Sequence, residues 1–407
     1  MARPADKATD TAFEPRVFDE QAIQSPGGSN YRLQVGEYWT ARQRQMHPLH
    51  YAVSYRASFK PELPDYFIRR YTRPGEIVFD PFSGRGTTAL QANLLGRVAW
   101  SADVSPLAER LVYPKTHPVS FAQIEERLSQ IDFEGEDPAS DRARLKPFYH
   151  AQTRRELHAL RAYLSSQRDD VDRFIELIAL SRLHGHSAGF FSRYSFPQIS
   201  VSPRAQERIN RTHDKTASYR CVPKLISRKA KRTLGDESAL EIRKVSAKNR
   251  HWVADVRDLT DLPAGKVSLI VTSPPFLNKA DYIQDNWLEN WFLGIEPESY
   301  SKGVVQTHDL PTWETFIRGA LFSMHRALKS GGHAVIEVGE VVSRKELVHL
   351  DERVVAMAES LAGDGQKWDV REVLIQQQEF TKLANCFAVD NNKKGTNTNR
   401  MVVLRKV

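Results

Sequence analysis

A chain of 407 residues and 46.4 kDa is long enough for two or three domains, and its 41% hydrophobic and 27% charged residues exclude a mainly disordered polymer. No stretch approaches the roughly 18 apolar residues of a membrane helix, and two cysteines, Cys221 and Cys386, exclude a disulfide framework and a cysteine-built zinc site. The formal net charge is +8, and the whole excess lies between residues 182 and 250, where 16 Lys and Arg stand against 5 Asp and Glu. So basic a segment in an otherwise near-neutral chain points to a polyanion partner, above all nucleic acid, rather than to a merely solvated face.

Residues 1–30 mix Pro, Ser, Gly, Asp and Thr without periodicity and read as a flexible tail. They lack the apolar core of a secretory signal, so a cytoplasmic protein with no membrane partner is expected. Runs at 76–80, 97–103, 251–255, 267–273, 333–338, 368–375 and 400–405 read as strands, and 87–95, 311–328 and 351–361 as helices. Strands alternating with helices predict an α/β fold with a doubly wound, mostly parallel sheet. The alternation lapses between about 110 and 250. There 121–128 and 153–183 read as amphipathic helices, followed by the basic stretch with Phe190, Phe191, Tyr194 and Phe196. The expected organisation is a tail (1–30), an α/β domain in two pieces (31–110 and 250–407), and an inserted, mainly helical, basic domain (111–249).

Two segments carry chemistry. In Asp80-Pro-Phe-Ser-Gly-Arg-Gly-Thr-Thr88 an apolar strand ends in an acid, two glycines make a turn, and a helix begins. Glycines let a ligand approach the backbone, and a helix N-terminus offers unpaired N–H groups. Asp103 ends the next strand, 23 residues after Asp80, at a spacing that suits a ribose diol. In Thr272-Ser-Pro-Pro-Phe276, two prolines at a strand exit make a rigid extended loop whose carbonyls stand beside a hydroxyl and an aromatic ring. Ser273 and the Pro274 carbonyl can accept the hydrogens of a planar amine while Phe276 stacks on its ring. His184, His186, His213 and Cys221 have no zinc-ligand spacing, and no metal is expected. Trp287, Trp291 and Phe292 read as core, with Tyr282 and Asn286 as alternative base contacts.

Together the two segments resemble the amino-directed (N4-cytosine/N6-adenine) S-adenosylmethionine-dependent DNA methyltransferases. The first looks like the cofactor motif of that family and the second like its catalytic Ser/Asn/Asp-Pro-Pro-aromatic motif. The segment Ala57-Ser-Phe-Lys-Pro-Glu-Leu-Pro-Asp-Tyr-Phe-Ile68 is similar to the piece that packs over the methionine end of the cofactor. The resemblance implies a seven-stranded methyltransferase sheet. It implies S-adenosyl-L-methionine held by Phe59, Asp80, Pro81, Phe82, Gly84, Gly86, Thr87, Thr88, Asp103 and Asp255, the last facing the adenine amine. Catalysis is expected from Ser273, Pro274, Pro275 and Phe276 on a base flipped out of double-stranded DNA. Phosphate contacts are expected from Arg193, Arg204, Lys224, Arg228, Lys229 and Arg232. Ser273 preceded by Thr272 looks more like the cytosine-N4 enzymes, with adenine N6 as the alternative. An RNA or protein-glutamine methyltransferase and a non-catalytic DNA-binding regulator are the rival readings. A cognate restriction endonuclease is a partner that the resemblance allows.

Overall fold

The computed structural model describes residues 15–39, 46–56, 58–166, 168–196, 198–216, 218–235, 238–277, 281–343, 346–377 and 399–407. Ala57 and Cys386 lie outside them. A hairpin opens the described chain, β1 (Arg16–Gln24) and β2 (Asn30–Glu37), followed by α1 (Glu62–Tyr71). The α/β alternation begins with β3 (Ile77–Asp80), α2 (Thr87–Leu94), β4 (Val98–Asp103) and α3 (Pro106–Thr116). The insertion follows as α4 (Phe121–Gln130), α5 (Ala139–Leu145), α6 (Ala151–Ser166), α7 (Asp170–Leu180), α8 (Pro203–Thr212), α9 (Val222–Thr233) and the short α10 (Ser238–Glu241) and α11 (Arg243–Ser246). The sheet resumes with β5 (Arg250–Val253) and β6 (Val267–Thr272), then α12 (Trp287–Leu293), α13 (Leu310–Ala327) and β7 (Leu328–Val338). A small hairpin, β8 (Glu340–Ser343) with β9 (Glu346–His349), leads to α14 (Leu350–Ser360), β10 (Trp368–Gln376) and β11 (Asn399–Lys406).

One nine-stranded sheet runs β1-β2-β10-β11-β7-β6-β3-β4-β5. The strands from β7 to β5 pair in parallel, and β11 is antiparallel to both its neighbours. Seven strands from β10 to β5 match the expected doubly wound sheet. The hairpin adds two more, β2 lying parallel to β10. This corrects the reading of 1–30 as a tail: from Arg16 onward it is paired strand. The pattern was invisible because β1 is an edge strand with nearly every side chain exposed, so no buried face imposes an alternation. Gln376 locks the hairpin down, accepting from the Tyr38 N–H at 2.7 Å and donating to the Trp39 carbonyl at 2.7 Å.

All six residues of β6 are buried, as a central parallel strand covered on both faces requires. Alternation splits the core. Val78, Leu269 and Val271 face α1 and α2 with Leu63, Phe67 and Ala89, while Phe79 and Ile270 face α13 and α14 with Phe316, Leu321 and Val354. The insertion is helical, and the expected helix over 153–183 is two helices, divided where Asp169 caps α7 through the N–H groups of Val171 and Asp172. Residue 111, the expected boundary, falls inside α3. Among the described residues, Ile124, Leu157, Phe174 and Ile226 of the insertion share one apolar cluster with Leu90, Leu107, Leu111 and Leu288 of the sheet domain.

Leu269 touches no part of the cleft described below. Leu269→Ala is expected to cost about 2–5 kcal/mol, the usual range for a buried leucine truncation. Urea unfolding should show a lowered midpoint at unchanged m.

Candidate active site

β3 and β6 are neighbours at the point where the strand order reverses, and their carboxyl ends open a crevice. The Thr272 hydroxyl donates to Asp80 Oδ1 at 2.6 Å, and the Phe82 N–H donates to the same oxygen at 3.2 Å. Asp80 Oδ2 is buried with no hydrogen-bond partner among the described residues. Burial pushes the Asp80 carboxyl up to about 7 against the pull of these donors. Asp80 therefore shapes the turn from beneath rather than lining the cleft.

The turn at 81–86 depends on two glycines with positive φ, Gly84 at 47° and Gly86 at 80°. A Cβ on Gly86 would lie 2.9 Å from the Val112 side chain, so α2 and α3 close only over glycine. A Cβ on Gly84 would meet the Tyr55 ring at 3.5 Å, within the cleft. The Gly84 N–H donates to Asp103 Oδ2 at 2.9 Å and the Ser105 N–H to Oδ1 at 3.0 Å, drawing the turn onto the end of β4. A carboxylate has about four acceptor positions, so Asp103 keeps capacity toward the cleft that it lines. Burial raises the Asp103 pKa, and the two N–H groups oppose that shift.

The cleft is open to solvent. Phe59, Pro81, Phe82, Gly84 and Thr87 line it beside Asp103 and Asp255, and Ser273 and Pro275 line it from the other motif. Val104, Val256, Val305 and Phe316 give it an apolar slot, with Phe82 and Phe316 5.7 Å apart between ring centroids. Asp255 is held in the fork of Arg257, whose Nε lies 2.9 Å from Oδ1 and 3.1 Å from Oδ2. Its carboxylate is thus already paired where the resemblance expects an adenine amine. Gly86 and Thr88 are structural, since the Thr88 hydroxyl donates to the Val271 carbonyl at 3.0 Å and ties α2 to β6. A nucleoside carrying a vicinal diol fits this donor set: a carboxylate with spare lone pairs, a glycine cradle and an apolar slot.

The loop after β6 is pinned by Trp313, whose Nε1–H donates to the Pro275 carbonyl at 2.8 Å. Pro274 is buried, and Phe276 is half-buried against the core on the α13 side. One residue that sequence reasoning missed stands behind the loop. Glu337 of β7 is buried, hydrogen-bonded to Ser273, and pushed up to about 7 by burial. Its signal was an acid in the middle of the apolar run His333-Ala-Val-Ile-Glu-Val338. Tyr282 lines the cleft and Asn286 donates to its carbonyl at 2.8 Å, whereas Trp291 and Phe292 are core.

The six basic candidates do not form one face. Arg204 on α8 is exposed, and so are Lys224, Arg228 and Arg232 on α9. Lys229 is half-buried and donates to the Tyr51 carbonyl at 3.1 Å. Arg193 is half-buried in the loop before α8 and donates to the Lys215 carbonyl at 3.4 Å. His184 pairs with Glu289 at 2.7 Å, and Ser200 donates to the other Glu289 oxygen at 2.6 Å. These contacts fasten the loop at 184–202 to α12. No His, Cys, Asp and Glu group among the described residues could hold a metal ion, and no helix among them is long and apolar enough to cross a membrane.

Residues 11–113 match the N6/N4 methylase family model, described as DNA methylase. The type II methyltransferase M.MjaII of Methanocaldococcus jannaschii is 37% identical over 65 residues, which are 16% of this chain and 12% of that one. The type II methyltransferase M.BsoBI of Geobacillus stearothermophilus is 23% identical over 288 residues, 61% of this chain and 53% of that one. The chain thus spans about half or less of the length of these curated relatives. Among solved structures, TrmN from Thermus thermophilus aligns at a TM-score of 0.33 with 14% identity, over 86% of this chain and 50% of that one. A SAM-dependent methyltransferase from Methanosarcina mazei aligns at 0.31 with 10% identity, over 84% and 97%.

Glu337 and Asp80 both have folded-state pKa values raised above their ordinary ones, so each adds stability below its unfolded pKa that is lost as pH rises through about 7. Glu337→Gln is expected to stabilise the protein at pH 8 by an amount on the order of 3 kcal/mol and to have little effect at pH 4. Thermal unfolding across pH 4–9 should show the variant losing about half of the decline that the wild type shows as pH rises to about 7.

Proposed function

We propose that this chain, which belongs to the amino-directed DNA methylase family, transfers a methyl group from S-adenosylmethionine to an exocyclic amine of a base in double-stranded DNA. The observation that carries this reading is the convergence of the two motifs: Gly84 and Asp103 of one and Ser273 and Pro275 of the other line the same cleft. S-adenosylmethionine, when bound, supplies a methyl group activated by its sulfonium. Asp103 would receive the ribose hydroxyls, the slot of Val104, Val256 and Phe316 the adenine, and Phe59 the methionine end.

The amine of a base is conjugated and weakly nucleophilic. With its proton turned to Glu337, the Ser273 hydroxyl oxygen accepts one amine hydrogen, and the Pro274 carbonyl accepts the other. Both bonds localise the nitrogen lone pair for attack on the methyl carbon. Nitrogen would gain the methyl group as the methyl carbon–sulfur bond breaks to leave a neutral thioether, and must then shed one proton. Ser273 relays that proton to Glu337, whose raised pKa suits it as acceptor near neutrality. Positioning and fixed dipoles carry the barrier reduction, and no covalent enzyme intermediate is needed. A duplex hides the amine in its stack, so the base must be flipped out, with the exposed part of Phe276 beneath it. The loop could hold either amine, and it is the resemblance of Thr272-Ser273 to the cytosine-N4 enzymes that favours cytosine N4 over adenine N6. The basic insertion supports a nucleic acid over a protein substrate.

Incubation with labelled cofactor and duplex DNA, then digestion to nucleosides, is expected to yield N4-methyldeoxycytidine. N6-methyldeoxyadenosine in its place would move the target to adenine, and label in RNA alone would overturn the DNA reading. Ser273→Ala and Phe276→Ala should lower kcat on the order of a hundredfold while calorimetric cofactor affinity stays within a few fold. Asp103→Ala should instead abolish detectable cofactor binding. In the wild type kcat should rise with pH through about 7 as Glu337 ionises, and Glu337→Gln should flatten that profile.

A further inference from the structure

Where the insertion meets the catalytic lobe, Arg182, Arg228, Lys229 and Arg232 stand together, and none has a carboxylate partner among the described residues. We propose that these four side chains form a seat for one backbone phosphate of the DNA, beside the cleft. The proposal rests on the DNA reading above and assigns one discrete phosphate site within it.

The geometry is convergent. Arg182 Nη1 and Arg228 Nη2 lie 3.9 and 3.6 Å from the same point, the position a Cβ would take on Gly189. The Arg182 guanidinium stacks on the Phe190 ring, 4.1 Å from its centroid, and its Nε–H donates to the Ser181 hydroxyl at 3.2 Å. Its plane is thereby fixed with the terminal nitrogens left to meet an anion, the arrangement that suits a phosphate. Lys229 is anchored on the Tyr51 carbonyl, four residues before Tyr55 of the cleft wall. The buried Lys115 amine lies between the two regions: it donates to the carbonyl of cleft-lining Arg85 at 2.6 Å and feels the charges of both Arg85 and Lys229.

The energetics distinguish this cluster from an ordinary solvated face. Arg182 is drawn down to about 10 and Lys229 to about 8, first by burial and then by the positive charges around them. Cations held partly out of water and against one another destabilise the free protein, and a bound phosphate reverses the sign of that interaction. The exposed Arg204, Arg208 and Arg211 of α8 carry no such burial. Gly189 matters for the same reason: without a side chain it leaves the space between the two guanidinium tips open.

The test is duplex affinity by fluorescence anisotropy between 50 and 200 mM salt, with a set of duplexes each carrying one neutral methylphosphonate. Lys229→Met and Gly189→Val, the latter blocking the seat without removing a charge, are each expected to weaken binding several-fold. Lys229→Met should also reduce the salt slope by about 0.9, the value for one phosphate contact. One methylphosphonate position that weakens the wild type should have no further effect on either variant, while Arg204→Gln stays sensitive to it. Unchanged calorimetric affinity for S-adenosylmethionine shows that the variants are folded. If every position weakens the variants as it weakens the wild type, the seat is wrong and the DNA reading stands. If the wild type binds no DNA, both fall together.

Discussion

Asp80 and Thr272 end two parallel strands that touch in the sheet yet lie 192 residues apart in the chain, and a 2.6 Å hydrogen bond joins them. The bond bridges the reversal of strand order, the one place where an open α/β sheet cannot cover its own edge with a crossover helix. Each partner turns one loop. The Phe82 N–H folds back onto Asp80, which sets the glycine turn toward Asp103. Thr272 immediately precedes Ser273, so the same bond sets the exit angle of the Pro-Pro loop. The Gly84–Asp103 side and the Ser273–Pro275 side of the cleft are registered against each other through this contact.

Behind that contact the site holds carboxyl groups where burial disfavours their charge. Asp80 and Glu337 are both wholly enclosed and both pushed up to about 7. A fold selected only for stability would place apolar groups at these two positions, because a buried carboxylate is rarely repaid by its partners. The two acids serve different ends. Asp80 accepts hydrogen bonds that shape backbone, whereas Glu337 reaches the hydroxyl that faces the cleft. The central sheet can bear both because β6 is buried along its whole length and supplies apolar packing on two faces.

The insertion packs directly against the helices of the sheet domain. Its helices share an apolar cluster with α2, α3 and α12. Polar stitches add to this: His184 and Ser200 grip Glu289, and the Trp287 indole N–H donates to the Val201 carbonyl at 2.9 Å. Burial works against charge on both partners, yet the Glu289 carboxylate holds the His184 pKa above its ordinary value, and His184 and Ser200 hold that of Glu289 below its own. These contacts tie the segment at 184–201 to α12, the helix that follows the Pro-Pro loop in the chain.

Much of this was legible along the chain. Alternating apolar strands and helices specified the doubly wound sheet, because side-chain periodicity is a local property of each element. Asp80, Gly84, Gly86, Asp103 and Ser273 marked two turns, of which Gly84, Asp103 and Ser273 line one cleft, because tight turns and proline pairs need particular residue types whatever surrounds them. The hairpin at β1 and β2 was not legible, since an exposed edge strand is held by backbone pairing and leaves no trace in hydrophobic pattern. Neither was the pairing of Asp255 with Arg257, nor the step from a count of basic residues to a cluster around Gly189. Glu337 shows the limit most clearly. The sequence determined that an acid interrupts an apolar strand, but only the stacking of β7 beside β6 decided that it would lie against Ser273, because burial and partnership arise between segments that are distant in the chain.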